Sequence, residues 1–250
     1  MFTNWTKATV SSGFDAYDDW VEDVFGYQPL ISKLISDVGR ESTVLDYGCG
    51  SGKVSRRLVS SGMHQVTGVD IAPVMIDKAK QISGDRERYF QIDSAILPCS
   101  DNSFDAAISS FVFINIPSKE QLADIACEIA RALKPGGTFY ILDTNPNALG
   151  VQFPTYKNGY EDTSYHDGDD RPVQLRLPDG SVLDLVDKNW ALSTYYSILS
   201  FAGFSSVKAT EMEFREMQYD QRPNDYKLLH GKMPFILFEA RKDANPVTLP

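Results

Sequence analysis

The sequence has little of the chemistry on which metal sites and disulfide frameworks depend. Three cysteines stand among 250 residues, Cys49, Cys99 and Cys127, odd in number and scattered, and no C-x-x-C pair occurs. Neither a zinc site nor a disulfide framework is suggested, and a reducing cytoplasm is the expected compartment. Histidines are as scarce, at positions 64, 166 and 230. No apolar run reaches the roughly 18 residues of a membrane span, and the opening Met-Phe-Thr-Asn-Trp-Thr-Lys lacks the basic-then-apolar pattern of a secretory signal. Basic tracts are missing too. Lys and Arg number 24 against 34 Asp and Glu, a formal net charge of -10, which argues against nonspecific binding to nucleic acid or an anionic membrane. No internal repeat and no domain linker is visible. With 42% hydrophobic and 23% charged residues, the composition is that of an ordinary globular protein of one domain with a full core.

What is present is concentrated in Val44-Leu-Asp-Tyr-Gly-Cys-Gly-Ser-Gly52. Residues 43–45 read as a buried strand, β-branched and apolar. Asp46 and three alternating glycines follow, and from Lys53 a helical period takes over with Val54, Leu58 and Val59 on one side. Strand, glycine turn and helix make the first half of a nucleotide-binding βαβ unit. Glycines at Gly48 and Gly50 let a ligand approach the backbone closely, and a helix N-terminus beyond them suits an anionic group. A P-loop reading fails because Tyr47 stands where its first glycine belongs and Val54 where its hydroxyl belongs. A dinucleotide fingerprint starting at Gly50 lacks its third glycine, with Ser55 in that place. Asp46 would repel a pyrophosphate but suit a ligand with a cationic amine, such as S-adenosylmethionine (SAM), which has an ammonium, a sulfonium and no phosphate.

At these residues the chain resembles motif I of the class I SAM-dependent methyltransferases, commonly V-L-D-x-G-C-G-x-G. The likeness is to the small-molecule-acting branch, methyltransferase type 11 and the ubiquinone-biosynthesis enzymes. It covers residues 40–145 strongly and 190–241 weakly. It implies an α/β, Rossmann-like, doubly wound fold. The sheet has seven mostly parallel strands with the last antiparallel, and a helical leader and an inserted lid or hairpin are added to it. A single SAM-dependent methyltransferase domain over 1–250 is expected: leader or cap 1–40, SAM-binding core 41–145, lid and hairpin insertion 146–189, and 190–241 as the C-terminal part of the core with a second insertion.

Taken in order, residues 12–38 carry apolar residues near helical spacing, which predicts two helices split at 26–29 with Gly39 as a stop. In the resemblance such a leader closes over the cofactor, with Tyr17 as the candidate contact. The second strand, 65–69, ends in Asp70, at the distance beyond Gly50 where a βαβ unit places a carboxylate on ribose hydroxyls. An ionised acid accepts from both. The resemblance puts Ile71 and Met75 on adenine as an apolar clamp, and Ala72 replaces the serine usual there. A third strand, 89–92, ends in Asp93, implied to accept from the adenine amine with Ser94 and Ala95 beside the ring; Cys49 belongs to the cofactor loop.

After a fourth strand, 106–109 and extending as far as 111, the family often carries two histidines. Ile114 and Asn115 stand there instead, so a metal or His-base reading has no support at this place. That strand end faces the reacting methyl in the fold, which makes Ser110, Phe111 and Asn115 candidates for the boundary between cofactor and substrate. A helix over 119–133 and a fifth strand over 138–142 complete the common core. Residues 145–171 are long, polar and aromatic, the pattern of a lid, with Tyr156, Tyr160 and Tyr165 as candidate substrate contacts and His166 as the candidate base. Residues 173–177 and 181–186 alternate around Pro178-Asp-Gly180, a hairpin signal. A helix from Trp190, another candidate substrate contact, to 202, a sixth strand over 207–212, a second insertion over 214–234 and a last strand over 235–240 follow.

The expected activity is methyl transfer from SAM to a small-molecule acceptor through an N or O nucleophile, biosynthetic or secondary-metabolic. The aromatic caps suggest a planar or partly apolar acceptor. Other readings stay open: a methyltransferase of protein or tRNA, and a non-catalytic SAM-binding module. An NAD-dependent oxidoreductase is disfavoured by Asp46. Oligomeric state is left between monomer and homodimer.

Overall fold

The computed structural model describes residues 3–212 and 232–244. The second insertion read over 214–234 falls almost wholly outside the described residues, as does His230.

Seven strands form the central sheet: β1 (Thr43–Tyr47), β2 (Gln65–Asp70), β3 (Glu87–Gln91), β4 (Phe104–Ser110), β5 (Leu133–Thr144), β9 (Phe204–Glu211) and β10 (Phe235–Lys242). Their order is β3-β2-β1-β4-β5-β10-β9. β1 to β5 pair in parallel, and β10 runs antiparallel to both β5 and β9. The strand order reverses between β1 and β4, which is where open α/β sheets bind their ligands. Adjacent residues of the central strands, Val44 and Leu45, Ala106 and Ala107, Tyr140 and Ile141, are all buried and pack into opposite core clusters. A sheet covered on both faces needs such runs rather than an apolar–polar alternation.

One face is covered by α6 (Lys119–Ala132) and α7 (Leu192–Phe201). α6 has the helical spacing of Leu122, Ile125, Ala126 and Ile129 buried, and Ser118 caps it by accepting from the Gln121 N–H. The other face takes α4 (Lys53–Ser60) and the leader, while α5 (Pro73–Gln81) follows β2. The leader departs from the two helices expected. α1 (Ala8–Ala16) ends before Tyr17. α2 (Trp20–Glu22), a π-helical turn at Asp23–Tyr27 and α3 (Gln28–Val38) then run on as one helical stretch through Gly26 and Pro29. The turn signal misled because Gly26 serves packing. A Cβ there would come within 2.9 Å of Leu142 Cδ2 and 3.3 Å of Phe235 Cδ2. Pro29 lies in the first turn of α3, where its missing N–H does no harm. Gly39 does stop α3, with φ of 78°.

Residues 145–171 are less of a loop than their polarity suggested. They contain a 3₁₀ turn (Pro146–Ala148) and a strand, β6 (Tyr156–Asn158), which joins the predicted hairpin. That hairpin is longer than read, β7 (Asp169–Arg176) and β8 (Val182–Asn189), and the three make a second, antiparallel sheet in the order β6-β7-β8. Its turn is held by Gly180 N–H donating to Leu177 O at 2.9 Å, with Gly180 at φ 86°. Alternation sends Arg171, Val173 and Leu175 of β7 and Leu185, Asp187 and Asn189 of β8 to the buried face. That face looks toward the ends of the central strands.

Candidate active site

A cavity of about 1010 Å³ opens at the C-terminal ends of the central strands. Its first half is built by the turns after β1, β2, β3 and β4. Tyr47, Gly48 and Gly50 come from the glycine loop, Asp70, Ile71 and Met75 from the β2–α5 turn, Ile92, Ser94 and Ala95 from beyond β3, and Ser110 and Phe111 from β4. Gly48 and Gly50 have φ of 75° and 53°, a region glycine enters without penalty. A Cβ on Gly48 would strike Val112, whereas one on Gly50 would meet only Met75 Cε, at 3.4 Å. At Gly50 the backbone therefore faces open cavity, a cradle that a ligand can touch directly.

The loop's amides identify the kind of ligand. Gly48 and Cys49 N–H both donate to Val69 O, at 2.8 and 3.0 Å, and Gly52 N–H donates to Cys49 O at 2.9 Å. Gly50 N–H donates to Asp70 Oδ2, and Ala72 N–H to Asp70 Oδ1, each at 2.8 Å. Below the loop, at the start of α4, Asp46 accepts from Ser55 Oγ at 2.6 Å and from the Ser55 backbone N–H. A phosphate site leaves such amides free and the helix end uncapped. Here the Gly48, Cys49, Gly50 and Gly52 amides are spent within the loop and on Val69 and Asp70, and an acid already occupies the positive end of the helix, which fits a nucleoside ligand without phosphate. Asp70 keeps spare acceptor lone pairs on the cavity wall. Burial raises its carboxyl above the usual range, opposed by the N–H groups of Ala72, Gly50 and Ile71.

Asp46 itself does not line the cavity. Burial pushes it up to about 7, against the pull of Ser55 and with the Asp70 charge adding to the rise. The folded state thus favours the protonated acid. That contribution is complete below the unfolded value of 3.8 and is lost as pH rises through about 7. In the cofactor-free protein, Asp46→Asn should flatten the fall of the unfolding free energy, measured in urea, between pH 4 and 7 by up to about 1.4 kcal/mol per pH unit. An unaltered pH dependence would contradict this reading of the loop.

The second half of the cavity is an apolar chamber between β4 and the buried face of the three-stranded sheet. Phe14, Phe111, Tyr156, Phe235, Val173, Leu175 and Leu185 wall it, with Glu22, Thr144 and Asp187 as polar groups. Tyr156 stacks on Phe235 at 5.7 Å and on Phe153 at 4.9 Å, and Phe111 stands edge-on to Phe235 at 4.9 Å. Phe111 is a non-glycine residue at positive φ, 57°, a strained backbone held by its N–H to Leu142 O at 2.8 Å. The N-terminal segment closes over the top. Thr3 Oγ1 exchanges hydrogen bonds with Val186 at 2.9 and 2.7 Å, and Trp5 Nε1 donates to Asn115 Oδ1 at 2.8 Å. Asn115 lines the cavity but its amide is committed, since Nδ2 donates to Phe111 O at 2.8 Å.

Several residues singled out from the sequence stand elsewhere. Tyr17 is buried, donates to Glu22 Oε1 at 3.0 Å and does not line the cavity; its neighbours Phe14 and Glu22 do. Cys49 is buried with Ile76, Ala79 and Tyr89 behind the loop. Asp93 is exposed, between the lining residues Ile92 and Ser94. Trp190 is a core residue that donates to Phe113 O at 3.1 Å. Tyr160 is 53% exposed, and its N–H donates to Tyr165 Oη at 3.1 Å, a surface contact outside the cavity. The His166 side chain is 86% exposed and faces Asp169, so the base expected there is not at the site. His166→Ala should leave methyl-transfer kinetics within about twofold of the parent, since exposed substitutions away from a site change little. Glu22, Phe14, Asp187 and the β7–β8 face were missed. Alternation in the hairpin could have grouped Val173, Leu175 and Leu185; nothing in the sequence marks Glu22.

The Methyltransferase domain family matches residues 45–141. The N-demethylindolmycin N-methyltransferase of Streptomyces griseus is 31% identical over 215 residues, which is 83% of this chain and 90% of that protein. In fold, the chain is similar to a SAM-dependent methyltransferase of Methanosarcina mazei, with a TM-score of 0.60 at 22% identity over 85% of this chain and 98% of the other. It is similar also to a 1,6-didemethyltoxoflavin-N1-methyltransferase of Burkholderia thailandensis, solved with bound 1,6-didemethyltoxoflavin and S-adenosylhomocysteine, with a TM-score of 0.58 at 21% identity over 95% and 87% of the two chains. Among the described residues no helix is long and apolar enough to cross a membrane, and no cluster of side chains could hold a metal ion. With its strand order, its phosphate-averse glycine loop and a relative matched along nearly its whole length, the chain belongs to the SAM-dependent methyltransferase family, and S-adenosylmethionine is its cofactor.

Proposed function

We propose that the protein methylates a small molecule with an apolar, partly planar body, by in-line displacement on the SAM methyl group, in a biosynthetic setting. One observation carries this reading: the cofactor cleft runs without a break into an apolar chamber roofed by the three-stranded sheet and the N-terminal segment. Small-molecule sites occupy about 300–1,000 Å³, and the cavity, at about 1010 Å³, has room for cofactor and acceptor together. Such a covered chamber suits neither a polypeptide nor an RNA strand, and the charge of -10 adds to that for RNA. The name of the Streptomyces griseus relative, an N-methyltransferase, favours nitrogen over oxygen as the nucleophile.

In this reading the chain works as one catalytic domain. Asp70 accepts from the ribose hydroxyls, and Ile71, Met75, Ser94 and Ala95 enclose the adenine beside Asp93. Gly48 and Gly50 pass close to the methionine part, and Ser110 and Phe111 flank the methyl. SAM supplies a methyl made electrophilic by its sulfonium. The protein holds the nucleophile in line with it in a dry chamber, and such alignment can lower a barrier by roughly 7–11 kcal/mol. The test is to incubate the protein with methyl-labelled SAM and a cell extract, then separate small molecules from protein and nucleic acid. Label in the small-molecule fraction is expected. Label in macromolecules would overturn the acceptor class, and SAM binding without any label would favour a non-catalytic module.

A further inference from the structure

We infer that Glu22 is the residue that receives the acceptor: its carboxylate takes an N–H of an amine-bearing substrate held in the apolar chamber. The inference rests on the small-molecule reading above and narrows it to basic amines.

Glu22 is more than nine-tenths buried and lines the cavity. One oxygen, Oε1, accepts from Tyr17 Oη at 3.0 Å; the other, Oε2, is buried with no partner. A buried polar atom without a hydrogen bond is costly and calls for an explanation. The residue sits where α2 runs into the π-helical turn, a helix irregularity that is frequent at functional sites. The other acid buried in the chamber wall, Asp187, already has the Arg171 guanidinium at 3.7 Å. Among the described residues no buried cation lines the chamber, and Lys7, the one basic lining residue among them, is exposed. The interior thus offers, among the described residues, one unsatisfied acid oxygen, set among aromatic walls. A carboxylate or phosphate ester on the acceptor brings no donor for that oxygen. An ammonium supplies the missing donor and charge at once.

Among the described residues, five groups act on this carboxyl or feel its charge. Tyr17 donates to it, and Asp19 and Lys53 act on it through their charges with opposite sign. Tyr27 and Tyr156 are close enough to have their own ionisation opposed by it. Burial holds Glu22 up at about 8, against the pull of its backbone N–H and of Tyr17, a value suited to exchanging a proton with an alkylamine near neutral pH. The amine enters as its ammonium and passes one proton to Glu22 Oε2, leaving a neutral nitrogen lone pair and a neutral carboxylic acid. That lone pair forms the N–C bond to the methyl carbon as the C–S bond breaks, its electron pair staying on sulfur. The product is an N-methylated ammonium, and the Glu22 proton leaves to solvent when the chamber opens.

The experiment is calorimetric titration of the protein saturated with S-adenosylhomocysteine, using benzylammonium and its neutral analogue benzyl alcohol as probes. The parent should bind benzylammonium at least about tenfold more tightly than Glu22→Gln does, a difference of about 1.4 kcal/mol. Benzyl alcohol should distinguish the two by less than about twofold, and S-adenosylhomocysteine affinity should be the same in both. Tyr17→Phe keeps the carboxylate but removes its donor, so it should retain amine binding with the acid limb of its pH profile moved upward; this variant tests the idea even if Glu22→Gln fails to fold. Benzylammonium that fails to bind the parent, or binds Glu22→Gln equally well, overturns the inference. So does a Glu22→Gln protein that loses S-adenosylhomocysteine affinity while amine binding holds, because the carboxylate would then serve the cofactor's own ammonium. Because binding needs no turnover, label found in macromolecules in the assay above would sink the acceptor class while leaving a Glu22-dependent amine site standing.

Discussion

Asp70→Ala should lower the affinity for SAM by about two orders of magnitude. The carboxylate holds two backbone N–H groups at 2.8 Å, from Gly50 and Ala72, and turns its remaining lone pairs to the cavity. Hydrogen bonds to a charged group contribute about 1.5–3 kcal/mol each. Losing two from the ribose hydroxyls therefore amounts to at least about 3 kcal/mol, or roughly a hundredfold in binding. The same substitution leaves the Gly50 and Ala72 N–H groups without their partner, so the loop that shapes the cleft loosens as well. Asp70→Asn separates the two effects. An amide oxygen can still accept from one backbone N–H but no longer carries the charge, and its affinity should fall between those of the parent and the alanine variant. Calorimetry with SAM on all three proteins, alongside a check of thermal stability, measures both. Unchanged SAM affinity in a folded Asp70→Ala protein would remove the ribose role.

How far the sequence could be read depends on whether the physics was local. The central strands and α6 were found, with β5 the least accurate because it already begins at Leu133, before the glycines read as its turn, since apolar runs and the period of Leu122, Ile125 and Ile129 are local patterns. The glycine loop was legible for the same reason: an acid, three glycines and a helix start follow one another in the chain. The leader was misread at Gly26, whose purpose is a contact with Leu142 and Phe235, more than a hundred residues away. The acceptor chamber was the least legible part. Its walls come from α1, the helix at Glu22, the ends of β4 and β5, the β6–β8 sheet and β10, and no pattern along the chain says that these segments meet. His166 was favoured because it lay in the right region, yet it stands just before β7 with its side chain turned to solvent. The composition of the long insertion did point to aromatic cover, but of its three tyrosines only Tyr156 lines the cavity.

The second large effect is expected at Arg171, the residue that ties the roof to the central sheet. Arg171 and Asp187 stand directly opposite each other in the β7–β8 register, both on the buried face, with 2% and 6% of their side chains exposed. Nη2 donates to Thr144 Oγ1 at 2.9 Å, at the end of β5, and Nη1 to Asn189 Oδ1 at 3.4 Å. Burial raises Asp187 to about 6 even against the pull of the guanidinium. Arg171→Met keeps much of the side-chain volume and leaves that acid uncompensated in the wall of the chamber. Breaking a buried pair in this way costs about 3–5 kcal/mol, a large share of the stability of a single domain. The sign of the pH dependence is fixed by the same argument. Without the cation the Asp187 carboxyl rises further, so the acid folds in its neutral form. The deficit of the variant against the parent should therefore be smallest in acid, stay level up to the parent's folded value of about 6, and grow as pH climbs from there toward the higher folded value of the variant. Removing the charge as well, in Arg171→Met with Asp187→Leu, should recover most of the loss, because an apolar pair of similar volume replaces an ion pair that was expensive to desolvate. Urea unfolding of the three proteins at pH 5 and pH 8 reads all of this. A single variant as stable as the parent at pH 8, or a double variant no better than the single, would mean that the roof is held by the apolar face of β7 and β8 and owes nothing to the pair.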